Sequence, residues 1–212
     1  MHDACLRNGP LDAPLTFLLA HGAGAPMDSP FMNAIAEGLA LRHWEVVRFE
    51  FPYMQRARAN GKKAAPDRMP LLEASFREQA AQLADRPRLI LGGKSMGGRV
   101  ASHLLDALAS SSNVVAGACL GYPFHPPGKP DRSRVDHLLS LQTRLLILQG
   151  ERDTFGNAVE VGGYGLPETV SVNWIPDGDH SFKPRKSSGR SHAQNLDVAI
   201  EALDQLAGQL LA

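Results

Sequence analysis

The sequence predicts an α/β fold, a single domain with a mostly parallel sheet of about six strands and helices on both faces. Three observations predict it. Short apolar runs alternate with stretches of helical period, the pattern of a sheet covered by helices. Each run is short, as buried parallel strands are. The length, 212 residues, suits one large domain, and no stretch between the runs is long enough to fold as a second one.

The six runs are Leu15 to Ala20, Glu45 to Phe51, Arg88 to Gly92, Val114 to Gly121, Leu145 to Gln149 and Val170 to Ile175. Between them Phe31, Ile35 and Leu39 recur four apart, which places one apolar stripe on a helix. Leu72, Phe76, Ala80 and Leu83 do the same after Pro70, a residue suited to a first helical turn. Val100, Leu104 and Leu108 mark a third helix, and Leu196, Ile200, Leu203, Ala207 and Leu210 a fourth that closes the chain. Two connections, Pro52 to Met69 and Tyr122 to Thr143, exceed the usual length of about 4 to 6 residues and read as loops, as does the stretch Lys183 to His192.

Composition narrows the function. The 22 Lys and Arg residues balance 22 Asp and Glu residues, which argues against nucleic-acid or membrane partners that depend on a strong basic field. Two cysteines, Cys5 and Cys119, cannot build a secreted disulfide scaffold, and Cys119 lies in an apolar run that favours a buried thiol. The opening residues lack the charged and apolar regions of a signal peptide, and the run Phe17 to Ala20 is far short of the ~20 residues that span a bilayer. The expectation is a cytoplasmic protein.

The most specific feature is Gly93-Lys94-Ser95-Met96-Gly97, directly after a strand and directly before a helix. G-x-S-x-G in that setting is a nucleophile elbow: a tight turn exposes the serine at a strained apex, and the flanking glycines let helix and strand approach. Gly-Lys-Ser also ends a phosphate-binding loop, but the glycine required five positions before Gly93 is Arg88, and the intervening residues form a strand. The nucleotide reading fails for want of a backbone cradle.

A serine hydroxyl needs a histidine base and a carboxylate to orient it, expected in the chain order Ser, Asp or Glu, His. After the strand Leu145 to Gln149 comes Gly150-Glu151-Arg152-Asp153, and after Val170 to Ile175 comes Pro176-Asp177-Gly178-Asp179-His180. Both segments follow strand ends, where open α/β sheets place their sites. Of the eight histidines only His180 follows the last strand in a glycine-containing acidic turn. Asp153 is preferred over Glu151, Asp177 and Asp179 as its partner, the last two being too close in sequence to sit behind its ring. His21-Gly22-Ala23-Gly24, after the first predicted strand, supplies an oxyanion loop. The expected donors are the N–H groups of Ala23 and Met96, with His21 structural.

HGAG, GKSMG, GERD and GDH, in this order over nearly the whole chain, resemble the α/β-hydrolase superfamily. Gly92 to Arg99 and Gly121 to Pro130 look more specifically like a small branch neighbouring dienelactone-hydrolase-like enzymes. That branch also holds a hydrolase-like subunit of a eukaryotic chromatin-modifying complex, the NSL complex, and a testis-expressed relative. The resemblance implies Ser95 as nucleophile, His180 as base and Asp153 as its partner, with no metal or organic cofactor. The first predicted strand begins at Leu15, leaving little room for the leading strands of larger members, and Gly121 to Thr143 is too short for a large cap.

A cap-less site suits a small-molecule acyl substrate. Gly24, Tyr53, Tyr122, Phe124 and Phe182, beside strand ends, are candidates for contact with it, as is Phe31. Basic residues crowd two stretches, Arg56, Arg58, Lys62, Lys63 and Arg68 in one and Lys183, Arg185, Lys186 and Arg190 in the other. Bordering the cleft, they would attract a carboxylate or phosphate; otherwise they are solvated loops. The expected activity is ester hydrolysis through an acyl-enzyme. Thioester cleavage or acyl transfer by the same groups, and an inactive interaction module on the same fold, are the alternatives.

Overall fold

The computed structural model describes residues 5–212. Seven strands form one sheet in the order β1-β3-β2-β4-β5-β6-β7. The six expected runs are β2 (Thr16–Ala20), β3 (Glu45–Phe49), β4 (Leu89–Lys94), β5 (Val114–Leu120), β6 (Leu145–Gly150) and β7 (Val170–Ile175). All six pair in parallel. To these six β1 (Cys5–Asn8) adds a short edge strand that pairs antiparallel with β3, so the sheet is mostly parallel as expected.

Side-chain alternation along the strands divides the core into two layers. Phe17, Leu19, Val46 and Ile90 face Met32, Ile35 and Leu39 of α1 (Pro30–Ala40) and Ala199, Ile200 and Leu203 of α6 (His192–Leu211). Leu18, Val47, Phe49 and Leu91 face Leu72 and Phe76 of α3 (Met69–Ala81) and Val100 and Leu104 of α4 (Met96–Ala109). The expected stripes are thus the buried ones, although Phe31, Leu108, Leu196 and Leu210 sit only partly buried at the margins.

The connection Pro52 to Met69 departs from expectation: Pro52–Asn60 is a helix, α2, started by Pro52 and ended by Gly61 at φ 64. Another short helix, α5 (Ala158–Gly162), is capped by Asn157, whose side chain accepts from two backbone N–H groups. Tyr122 to Thr143 holds only a 3-10 turn, Leu138–Ser140, and no cap domain. No helix among the described residues is long and apolar enough to cross a membrane.

Candidate active site

Every site residue comes from the carboxyl ends of parallel strands. Ser95 occupies the turn between β4 and α4 at φ 52 and ψ −113, a left-handed conformation that costs a non-glycine residue of order 1–3 kcal/mol. Its neighbours enforce it. A Cβ on Gly97 would lie 2.6 Å from the carbonyl oxygens of Ala20 and His21, and one on Gly93 would lie 2.6 Å from that of Ala20. The Ser95 N–H donates to Leu120 O at 3.0 Å, which ties the turn to β5.

His180 Nε2 lies 2.8 Å from Ser95 Oγ, and its Nδ1 lies 2.8 Å from Asp153 Oδ2. Asp153 is 1% exposed, yet each carboxylate oxygen is satisfied. Oδ1 accepts from the Phe155 N–H at 2.9 Å, and Oδ2 accepts from Gln149 Nε2 at 3.0 Å as well as meeting the imidazole. The other acidic candidates are engaged elsewhere: Asp177 is clamped by Arg185 and Arg152, Asp179 accepts from the N–H groups of Ser181 and Lys183, and Glu151 accepts from the Asp177 N–H.

The turn carrying His180 is fastened from behind. Buried Asn195 of α6 donates to the carbonyls of Pro176 and Phe182 at 2.9 and 2.8 Å. The ring of Phe155 stacks on the imidazole at 4.2 Å between centroids. Lys94, the variable residue of the elbow, is buried, its Nζ 2.5 Å from the His180 carbonyl oxygen and 5.5 Å from the centroid of Phe31. Burial lowers its pKa to about 8, against the opposing attraction of Asp153 and Asp179. Sequence reasoning passed over Lys94, Gln149 and Phe155. Gln149 reads as one more strand residue, and Lys94 occupies the position the elbow pattern leaves open.

The loop after β2 supplies the other half of the site. His21 is structural, as expected: its Nε2 accepts from the Phe51 N–H at 3.1 Å, so Nδ1 carries the proton and donates to Gly22 O at 2.8 Å. Burial lowers its pKa and keeps the ring neutral. A Cβ on Gly22 would lie 3.6 Å from Ser95 Cβ, which brings the loop against the elbow. The N–H groups of Ala23 and Met96 have no hydrogen-bond partner among the described residues.

The aromatic candidates are corrected. Tyr53, Tyr122, Phe124 and Phe182 are all 0% exposed and belong to the core, so none offers an accessible wall. Tyr53 packs beneath the loop after β2, with its hydroxyl 3.5 Å from Gly22 O; Phe182 packs on Phe31. Proximity to a strand end does not fix the side toward which a ring turns. Gly24 is exposed and borders a cleft of about 480 Å³ with Pro26, Met54, Ala57, Lys62 and Lys63. Most arginines of the basic stretches are paired: Arg58 with Asp28 and Glu50, Arg56 with Asp67, and Arg185 with Asp177.

A family model described as an alpha/beta hydrolase domain matches residues 13–208, and the chain belongs to that family. Its fold is similar to that of an α/β serine hydrolase homologue from Coxiella burnetii, at 15% identity and TM-score 0.70, covering 94% of this chain and 89% of that one. It is also similar to a lidless α/β serine hydrolase from Xanthomonas campestris, at 19% identity and TM-score 0.65, over 94% and 88% of the two chains. A dienelactone hydrolase from Anabaena variabilis matches at 19% identity and TM-score 0.69, over 93% and 88%. The lack of a lid in the Xanthomonas structure parallels the short connection between Tyr122 and Thr143 here, which holds no cap domain.

Proposed function

We propose that the chain is a serine hydrolase that cleaves a small carboxylic ester, or a related acyl bond, through an acyl-enzyme. The observation that carries this reading is the unbroken relay from Ser95 Oγ to His180 Nε2 and from His180 Nδ1 to Asp153, each contact 2.8 Å. In the first step His180 takes the Ser95 proton as Oγ forms a bond to the acyl carbon. The resulting imidazolium, steadied by Asp153, returns the proton to the leaving oxygen as its bond to carbon breaks. In the second step His180 deprotonates a water that attacks the acyl-enzyme, and the proton it takes regenerates the Ser95 hydroxyl.

The tetrahedral intermediates place negative charge on the former carbonyl oxygen. The N–H groups of Ala23 and Met96 are the donors assigned to it, each free of a competing acceptor among the described residues. Gly24 leads from this loop into the cleft beside Lys62 and Lys63, which is assigned to substrate. No step calls for a metal or organic cofactor.

Covalent labelling by a fluorophosphonate, followed by intact mass and peptide mapping, tests the reading. Labelling confined to Ser95 and abolished by Ser95→Ala and by His180→Ala is the expected result. A folded protein that does not label at Ser95 would overturn it and favour an interaction module on this fold.

A further inference from the structure

Arg99 begins the second turn of α4, and its N–H donates to Ser95 O at 3.0 Å. Arg99 therefore stands one turn from the residue read as nucleophile, and its charge acts on His103, His137, Tyr122 and Arg134. Arg134 approaches from the connection after β5. Its N–H donates to Phe124 O at 2.7 Å and its carbonyl accepts from the Tyr122 hydroxyl at 2.9 Å, which pins it beside the carboxyl end of β5. Gly121, at that same strand end, lies against the His180 carbonyl and Lys94 Nζ, each 2.8 Å from where its Cβ would stand. Both arginines therefore belong to the end of the sheet that holds Ser95 and His180.

Neither guanidinium has an acidic partner or a side-chain hydrogen bond among the described residues, unlike Arg56, Arg58 and Arg185. Arg99 Nε is buried and unpartnered, a rare condition for a strong donor. The two charges also feel each other: burial first and Arg99 second hold the Arg134 pKa below its ordinary value. Among the described residues no carboxylate lies within ion-pair distance of either guanidinium, and the nearby Glu73 is turned to a histidine instead. His137 stacks on His103 at 3.9 Å and meets buried Ser102 at 2.9 Å, while Glu73 faces His103 at 3.6 Å. Two half-buried like charges without a counter-ion cost stability, and a bidentate oxyanion is the ligand that satisfies both forks.

We propose that Arg99 and Arg134 form an anion subsite beside Ser95, and that the substrate is an acyl compound bearing a carboxylate or phosphate remote from the scissile bond. The proposal rests on the hydrolase reading of Ser95 and supplies the substrate class. Hydrolysis would proceed as above, with the charged end held by the guanidinium pair while the acyl carbon meets Ser95 Oγ.

Two measurements test it. In the first, kcat/KM for mono-p-nitrophenyl succinate is divided by that for the neutral p-nitrophenyl pentanoate. Charge-assisted hydrogen bonds of this kind make the expected fall in that ratio about 10- to 100-fold in Arg99→Gln and in Arg134→Gln. Arg77→Gln, on the exposed face of α3, serves as the arginine control and keeps the wild-type ratio. An unchanged ratio in both subsite variants, or equal losses on both esters, would overturn the subsite. In the second, Ser95→Ala protein is titrated calorimetrically with succinate and with inorganic phosphate. At least one should bind, and Arg99→Gln or Arg134→Gln added to it should abolish the heat. Labelling at Ser95 without anion binding sinks the subsite and leaves the hydrolase. Arginine-dependent anion binding without labelling sinks the hydrolase and leaves an anion site.

Discussion

Ser95 sits in a backbone conformation that serine does not choose, and the elbow glycines, the β5 hydrogen bond and α4 hold it there. Such strain is worth holding only if exposure of Oγ matters, so Ser95→Ala should lower turnover by about 10⁶ if the relay acts as a unit. Asp153→Asn should cost about 10⁴ in kcat, because an amide facing Nδ1 selects the wrong imidazole tautomer. Asp177→Asn touches only the Arg152 and Arg185 clamp and should cost far less; equal losses in the two steady-state assays would refute the assignment of the acid. Lys94 makes a separate prediction. Its folded pKa of about 8 lies below the ordinary 10.5, burial being the main cause. Between these values the unfolded chain holds the extra proton, so this group's contribution to stability rises with pH. Lys94→Met should therefore exceed wild type in stability most at pH 7, by a pH-dependent part on the order of 3 kcal/mol that shrinks between pH 8 and 10.5. Urea unfolding across that range checks it, and a difference that does not vary with pH would refute the burial of a charged Lys94.

The turn bearing His180 rests on the end of β6, a contact between two neighbouring strands that sets the geometry of the relay. A Cβ on Gly150 would lie 2.3 Å from Asp179 O and 2.4 Å from Gly178 O, both rigid backbone atoms. Gly150→Ala must push that turn away from β6, and a displacement approaching 1 Å at a reacting group costs about 10²-fold in rate. The rate of fluorophosphonate labelling should fall by that order, while Gly162→Ala, whose Cβ meets nothing within 4 Å, should label at the wild-type rate. Had Gly150→Ala no effect, the β6 to β7 contact would not position His180. These same elements show what could be read in advance. β2, β4, β5 and β6 were visible as short runs buried on both faces, β3 and β7 from their β-branched and aromatic residues despite Glu45, Arg48, Ser171 and Asn173, and α1, α3, α4 and α6 because one stripe of each is buried. β1 was not, being four residues at an edge with only partial burial and no repeating pattern. α2 was not, since its sequence is basic and only Tyr53 and Met54 are buried. Ser95, Asp153 and His180 stood out because each follows an apolar strand in a short polar turn, whereas the inward turn of Tyr53, Tyr122, Phe124 and Phe182 depends on packing across distant segments that no local pattern records.

The sheet divides its labour between its two ends. The carboxyl ends of the strands hold Ser95, Asp153 and His180, and the amino ends of β2 and β3 hold a fully buried carboxylate, Glu45. Arg86 before β4 donates to it at 2.6 Å, Thr16 of β2 at 2.9 Å and Arg7 of β1 at 2.5 Å, so one side chain joins the edge strand to the centre of the sheet. Burial pushes the Glu45 pKa up, but the hydrogen bonds from Arg86, Thr16 and Arg7 together outweigh it and hold the value below the ordinary 4.5. A depressed acid stabilises the fold above its unfolded pKa and loses that contribution as pH falls through the folded value. Glu45→Ala should consequently lower unfolding free energy by about 3 kcal/mol at pH 7, near the lower end for breaking a buried pair because Arg7 can turn to water. The loss should shrink as the pH of the urea titration is lowered through the folded pKa, where the wild-type carboxylate itself takes up a proton. Below the temperature at which the variant melts, the rate of Ser95 labelling per folded molecule should match wild type, since nothing in the Glu45 cluster reaches the carboxyl ends. A slowed rate in fully folded Glu45→Ala protein would mean that the amino end of the sheet transmits its disorder to the site, and that the two ends are not independent.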